Sequence, residues 1–300
     1  MLYQATHITR YLYEQPVSQC LTESRLTPRS FEGQRLHASR IRVQPEPAVS
    51  EERTDYFGNH VTMFAVLRSH DRLTTTASSV VEVVTQPPPV SGITWEAARD
   101  VLSEQPDTEA LQAFEFVFAS PLVPVGGEFL KYGRSVFAPG RPLLEAAHEL
   151  SHKIHEEFTY LPRSTTIDTP LSDIIRKKKG VCQDFAHVMI ASLRSLRLSA
   201  RYVSGYLRSG TGAEASHAWV SVFVPGHGWA SFDPTNDLIP TDGHVTLAWG
   251  RDYSDVTPLK GITMGGGGQT VEVEVRVQPI PEPEPTKPAE AAPPPAPEKP

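Results

Sequence analysis

The chain has 300 residues, 39% of them hydrophobic and 21% charged, the proportions of a globular protein with room for two domains. Its formal net charge of −7 lacks the basic excess of a nucleic-acid-binding surface, and no apolar run approaches the roughly 20 residues that cross a bilayer. The start, "MLYQATHITRYLYEQ", has no cationic stretch leading into an apolar one, so no signal peptide is expected. Cys20 and Cys182 are then expected as free thiols in a reducing, cytoplasmic setting.

The first elements read as strands. "YQATHITRYLYE", "LHASRIRVQPEP", "HVTMFAVLR" and "LTTTASSVVEVV" are rich in β-branched and aromatic residues and separated by turn formers. They predict an antiparallel β domain over residues 1–88, in which Cys20 is structural. "TQPPPVSG" breaks regular structure, because proline neither donates to a ladder nor continues a helix.

From Thr94 to about Phe158 the pattern is helical. "TWEAARDVLSEQ" opens on a Thr N-cap, and "PLLEAAHELSHKIHEEF" sets Leu143, Ala147, Leu150, Ile154 and Phe158 in one stripe. "VCQDFAHVMIASLRSL" has Phe185, Met189, Ser192 and Leu196 in line, backed by Ala186, Ile190 and Leu193, and predicts a largely buried helix. "ARYVSGYL", "SHAWVSVFV", "GWASFDP" and "TVEVEVRV" read as strands. Residues 89–278 therefore form a helical connector and a second, α+β unit whose chief motifs fall at about 156–240. Residues 279–300, Pro-rich and without aromatics, bury too little apolar surface to offset chain entropy. They read as a solvated tail, or else as a ligand for a proline-binding partner.

"HELSH", His148 to His152, matches the H-E-x-x-H zinc pattern. On a helical wheel, however, His148, His152 and His155 lie on the flank of the apolar stripe, beside Lys153, Glu156 and Glu157. Catalytic zinc needs ligands facing a walled cleft. Phe158 also stands where a metzincin has its third histidine. No metal and no cofactor is expected, and no EF-hand-like acidic loop appears.

A different constellation lies downstream. In "KKGVCQDFAH", Cys182 opens the buried helix, where unpaired N–H groups and the helix dipole favour thiolate. "ASHAWVSV" places His217 at the entry of a strand, and "GWASFDPTND" places Asp233 at the end of the next. A nucleophile, an acid/base and an orienting carboxylate are what thiol acyl transfer requires. Each alone has a plainer reading: a small buried residue, a strand-end polar group and a turn former before Pro234. A plain four-residue loop over 225–228 would put His217 and Asp233 on opposite faces of the hairpin, so the constellation demands an odd connection or a bulge.

"GVCQDFAHVMIASLRSLRLSARYVSGYL", "ASHAWVSVFVPGHGWASFDPTND" and "FTYLPRSTTIDTPL" resemble the bacterial transglutaminase-like proteins, and "DYFGNHVTMFAV" resembles that family's N-terminal β region. The resemblance implies a papain-like, transglutaminase-like core, with a Cys-bearing helix packed on an antiparallel sheet. It also implies that Cys182, His217 and Asp233 are the catalytic triad. Hydrolysis of a peptide or isopeptide-like amide is the reaction expected, since water is always available. Amine transfer is one alternative, and a non-catalytic binding or assembly module is another. An oxyanion hole would use the Cys182 N–H, with Gln183 or Tyr160 as second donor. Trp219 and Trp229 flank the active strands as packing residues or as walls of a substrate channel. His187 reads as structural, and "RKKKG" as a solvated loop or a lure for acidic substrates. Neither nucleic acid nor membrane is an expected partner.

Overall fold

The computed structural model describes residues 1–105, 107–208 and 216–281. Its first unit is built on one very long strand, β1 (Leu2–Ser24), followed by β2 (Gln34–Gln44), β3 (Val49–Thr54), β4 (His60–Val66) and β5 (His70–Val83). All pair antiparallel, in the order β2-β5-β1-β4-β3. β5 flanks the first half of β1 and β4 the second, so one strand serves two neighbours in succession. The predicted strands are present; β3, "VSEERT", is exposed throughout and offered no apolar alternation to read.

The chain then crosses through α1 (Trp95–Glu104), α2 (Thr108–Phe114), α3 (Gly127–Arg134) and α4 (Leu143–Glu157). Thr94 caps α1 as predicted, its side chain accepting from the Ala97 N–H. The predicted stripe of α4, Leu143 to Phe158, is buried. Next come β6 (Thr159–Tyr160), α5 (Leu171–Lys177), β7 (Lys179–Gly180) and α6 (Cys182–Ser195). α6 is buried from Asp184 to Arg194 and lies between the other helices and a second sheet. That sheet contains β8 (Ala200–Leu207), β9 (Ser216–Val224), β10 (Gly228–Phe232) and β11 (His244–Gly250), in the order β10-β9-β8-β11. The alternating residues Ala218, Val220, Val222 and Val224 join the main core, which helices of this unit share, while His217, Trp219 and Ser221 alternate onto the opposite face. The α+β class is thus as expected.

Past α7 (Tyr253–Val256), β12 (Leu259–Gly265) and β13 (Gln269–Pro279) return to the first sheet and pair with the two halves of β1. Part of the 89–278 segment thus completes the sheet of the N-terminal strands, a pairing that a division at residue 88 leaves out. Periodicity identifies a strand's faces but not its partner, and these pairings are far apart in sequence. Pro279 and Ile280 also belong to that sheet, with Ile280 N–H donating to Leu2 O, so the tail begins later than 279. The rest of the tail, 282–300, lies outside the described residues.

The two units share a core that includes Tyr3, Val81, Val275 and the buried face of α6. The first unit also covers the outer edge of β11. The Gln34 amide accepts from Thr246 N–H and donates to Thr246 O, both at 2.8 Å, and Asn59 does the same at Trp249, at 3.0 and 2.9 Å. Two side-chain amides thereby satisfy backbone groups that a neighbouring strand would otherwise occupy.

Candidate active site

Cys182 is the first residue of α6, and its neighbours explain the sharp entry. Val181 N–H donates to Asp184 Oδ2 at 2.8 Å, and Thr165 Oγ1 donates to the same oxygen at 2.7 Å. The buried Asp184 carboxyl, its pKa raised by that burial, holds both the helix start and the 164–169 loop. A Cβ at Gly180 would collide with this carboxylate, so only glycine lets β7 pass so close.

The β9–β10 hairpin supplies the other two groups. Its connection is the three-residue Pro225–His227, pairing Val224 with Gly228 and Val220 with Phe232. Gly226 and Gly228 take positive φ, of 74° and 77°. This odd connection brings His217, Trp219 and Asp233 to one face, as the sequence required. Asp233 opens a tight turn closed by its backbone pairing with Leu238.

His217 Nε2 donates to Asp233 Oδ2 at 2.7 Å, and the same imidazole interacts with the Cys182 thiol. Burial lowers the imidazole pKa, but the bonds to Asp233 and Cys182 outweigh it and push it up to about 10. Burial alone would raise the Asp233 pKa. Bonds from His217, His244 and Asn236 instead hold it well below the usual carboxylate range. The Thr235 and Asn236 N–H groups add bonds to Oδ1 at 3.0 and 3.3 Å.

His244, on β11, is the residue that sequence reading missed. It is buried, and its Nε2 lies 3.3 Å from Asp233 Oδ2. The segment "HVTLAWG" carried a weak signal, with Val245 and Leu247 alternating into the core. His217, Asp233 and His244 also form the one grouping among the described residues whose donor atoms, within 4.8 Å of one another, could hold a metal ion. Those atoms already hydrogen-bond each other, so an ion would have to displace the pairing at Asp233.

The secondary candidates fall out unevenly. Trp219 is 2% exposed, stacked on His217 with ring centroids 6.2 Å apart and edge-on to His244 at 5.2 Å. It backs the face that carries His217 and Asp233, as a packing residue. A Cβ at Gly205 would strike its ring and the Val245 carbonyl, so the glycine makes room for the indole. Tyr160 is 49% exposed and edge-on to Phe185, and partial burial, with a smaller contribution from Cys182, raises its pKa. Gln183 is half-buried beside the thiol. His187 is buried and accepts from Tyr253 N–H at 3.2 Å, a structural role. In the basic run, Arg176 and Lys177 pair with Asp173, and Lys178 pairs with Glu157. Cys20 is a buried free thiol whose pKa burial raises.

The two "HELSH" histidines and His155 are exposed, as expected, and do not converge. The ring of His148 faces Phe232, His152 Nδ1 lies 2.7 Å from Asp237 Oδ2, and His155 Nδ1 lies 2.9 Å from Thr235 O. The last two reach the turn that follows Asp233, a contact the wheel could not show.

A thiol on a buried helix, an antiparallel sheet carrying its histidine and a β-rich N-terminal unit define a transglutaminase-like fold. The comparisons agree. Residues 3–82 match the bacterial transglutaminase-like N-terminal region and residues 131–234 the transglutaminase-like superfamily. An uncharacterized protein of Mycobacterium tuberculosis is 37% identical over 277 residues, covering 87% of each chain. Another, of Mycobacterium leprae, is 35% identical over 271 residues, 88% of this chain and 94% of that one. A protein-glutamine gamma-glutamyltransferase of Pseudomonas aeruginosa is 30% identical over 114 residues, 34% of this chain and 17% of that one. The structure of a candidate cysteine protease from Cytophaga hutchinsonii superposes with a TM-score of 0.74 at 21% identity, over 93% of this chain and 90% of that one. The chain belongs to the bacterial transglutaminase-like family.

Proposed function

We propose that the chain is a thiol hydrolase of peptide or isopeptide-like amides, with Cys182 as nucleophile, His217 as acid and base, and Asp233 as its orienting carboxylate. One observation carries this reading: a single imidazole that bonds a fully buried carboxylate at 2.7 Å and interacts with the thiol at the start of α6. Cys182 sulfur attacks the amide carbonyl carbon while His217 holds the thiol proton. The tetrahedral oxyanion forms near the Cys182 N–H, which as a first-turn donor has no partner within the helix. Collapse breaks the C–N bond as His217 gives its proton to the leaving nitrogen, leaving a thioester. Water, deprotonated by His217, then attacks the thioester; the intermediate expels Cys182 sulfur, which takes back the proton from His217, and the acid leaves. Asp233 keeps Nε2 protonated throughout, which leaves the other ring nitrogen for these transfers.

The test is a substrate library of amides incubated with the protein and a labelled primary amine. Release of acid and amine without incorporation of label supports hydrolysis. Dominant incorporation of the label would replace it with amine transfer. Neither product, with Cys182 alkylated by iodoacetamide no faster than Cys20, would favour a binding module.

A further inference from the structure

The two edges of the second sheet differ. β11 is covered by Gln34 and Asn59, whereas β10 pairs only with β9, and no hydrogen bond among the described residues meets its outer edge. All five β10 residues instead line a groove of about 1680 Å³, bounded by a flank of α4 and by Pro87–Pro89. Cys182 and His217 are not among its walls, whereas Trp219 and His244, whose rings contact the His217 ring, are.

The groove also holds an uncompensated charge. Arg201 lies between Trp229 and Trp249, its guanidinium carbon 4.1 and 3.8 Å from the two ring centroids. Arg29 stacks at 3.6 Å on Trp249 as well. Arg201 is half-buried; its Nε is buried without a hydrogen-bond partner, and no ion pair involves Arg201 among the described residues. Its burial and the Arg29 charge depress its pKa. Arg194 shows the ordinary solution: this buried guanidinium donates to the carbonyls of Ala200, Phe118 and Arg251 and to Ser120 Oγ. Cation–π contacts offset only part of the desolvation of a charge, which normally needs an anionic or hydrogen-bonding partner.

We infer that the groove is a docking site for an extended peptide, which adds as a strand to the free edge of β10 and presents one acidic side chain to Arg201. Strand addition satisfies the backbone of β10, and Arg201 gains its missing anion. Among the described residues, Glu32, Glu145 and Glu156 line the groove without an ion pair, which opposes a polyanion such as nucleic acid or a highly charged glycan. The site is separate from the thiol and does not depend on its chemistry.

The test uses three hexapeptide pools, randomised except at one central position: glutamate, glutamine, and glutamate with alternate backbone N-methylation. Each is incubated with the full chain, and the retained peptide is measured after ultrafiltration. The glutamate pool should be retained at least about tenfold over the other two, equally by wild type and Cys182→Ala. Arg201→Gln should erase the preference for glutamate over glutamine. Because that substitution removes a stacked side chain, hydrogen exchange in the wild type gives a second reading: bound peptide should slow the amides of Gly228–Phe232. Equal retention of the three pools, no retention, a glutamate preference surviving in Arg201→Gln, or protection elsewhere than β10 would each overturn the inference. Loss of peptide binding in Cys182→Ala alone would move the site to the thiol.

Discussion

Two helices of this chain carry residues suited to catalysis, and they are built oppositely. α4 presents three histidines on one flank, close in sequence and matching a zinc pattern, yet each meets a different partner on an exposed surface. α6 carries one reactive group at its first residue, and the histidine and carboxylate that complete it come from a hairpin far along the chain. Sequence proximity alone did not make a site. Register did, through an odd hairpin loop that turned two side chains to the same face.

Substitution along the two helices breaks or sharpens this contrast. Cys182→Ala should have the largest effect, cutting kcat/KM by about 10⁴-fold or more. His217→Ala should match it, because the pair acts as a unit, and Cys182→Ala/His217→Ala should lose little further. Asp233→Asn comes next, with a loss of about 10²–10⁴-fold. It should also move the pH profile. His217 is raised to about 10, so its imidazolium is present throughout neutral pH and lost as pH climbs through that value. Removing the Asp233 charge lowers that alkaline limb towards neutrality, which a kcat/KM profile between pH 5 and 11 will show.

His244 should matter less and in a diagnostic way. Its Nε2–H takes up part of the charge on Asp233, so His244→Leu should lower kcat about tenfold with little change in KM. The same change should move the alkaline limb upward, since Asp233 then acts more fully on His217. His244→Gln, which keeps a donor, should restore much of both. Smallest of all, His148→Ala should change kcat/KM by no more than about twofold, as a surface substitution on α4. Assayed with the purified protein, a loss comparable to that of Cys182→Ala, accompanied by loss of stoichiometric zinc, would reverse the ranking of the two helices.

Much of the site was legible because its residues sit on strongly patterned elements. β8 and β9 fall on the segments read as strands, and the need for an odd hairpin followed from residue parity alone. What escaped depended on contacts between distant segments. His244 lies on a short strand after a turn-rich stretch, and its worth appears only when β11 pairs with β8 beside β9. β13 was readable as a strand from "TVEVEVRV", but nothing in its alternation named β1 as its partner, and no pattern showed the stacking of Arg201 between two tryptophans. The histidines of α4 were rightly read as exposed, but their reach to the turn after Asp233 required the loop's actual path.

The central claim is that His217 activates Cys182, and competitive alkylation tests it most directly. Limiting iodoacetamide at pH 6.5, with mass-spectrometric quantification of both cysteines, should modify Cys182 at least about tenfold faster than the buried Cys20. In His217→Ala the Cys182 rate should fall by a similar factor while that of Cys20 stays unchanged. Slow labelling of Cys182 that is indifferent to His217→Ala would contradict the account.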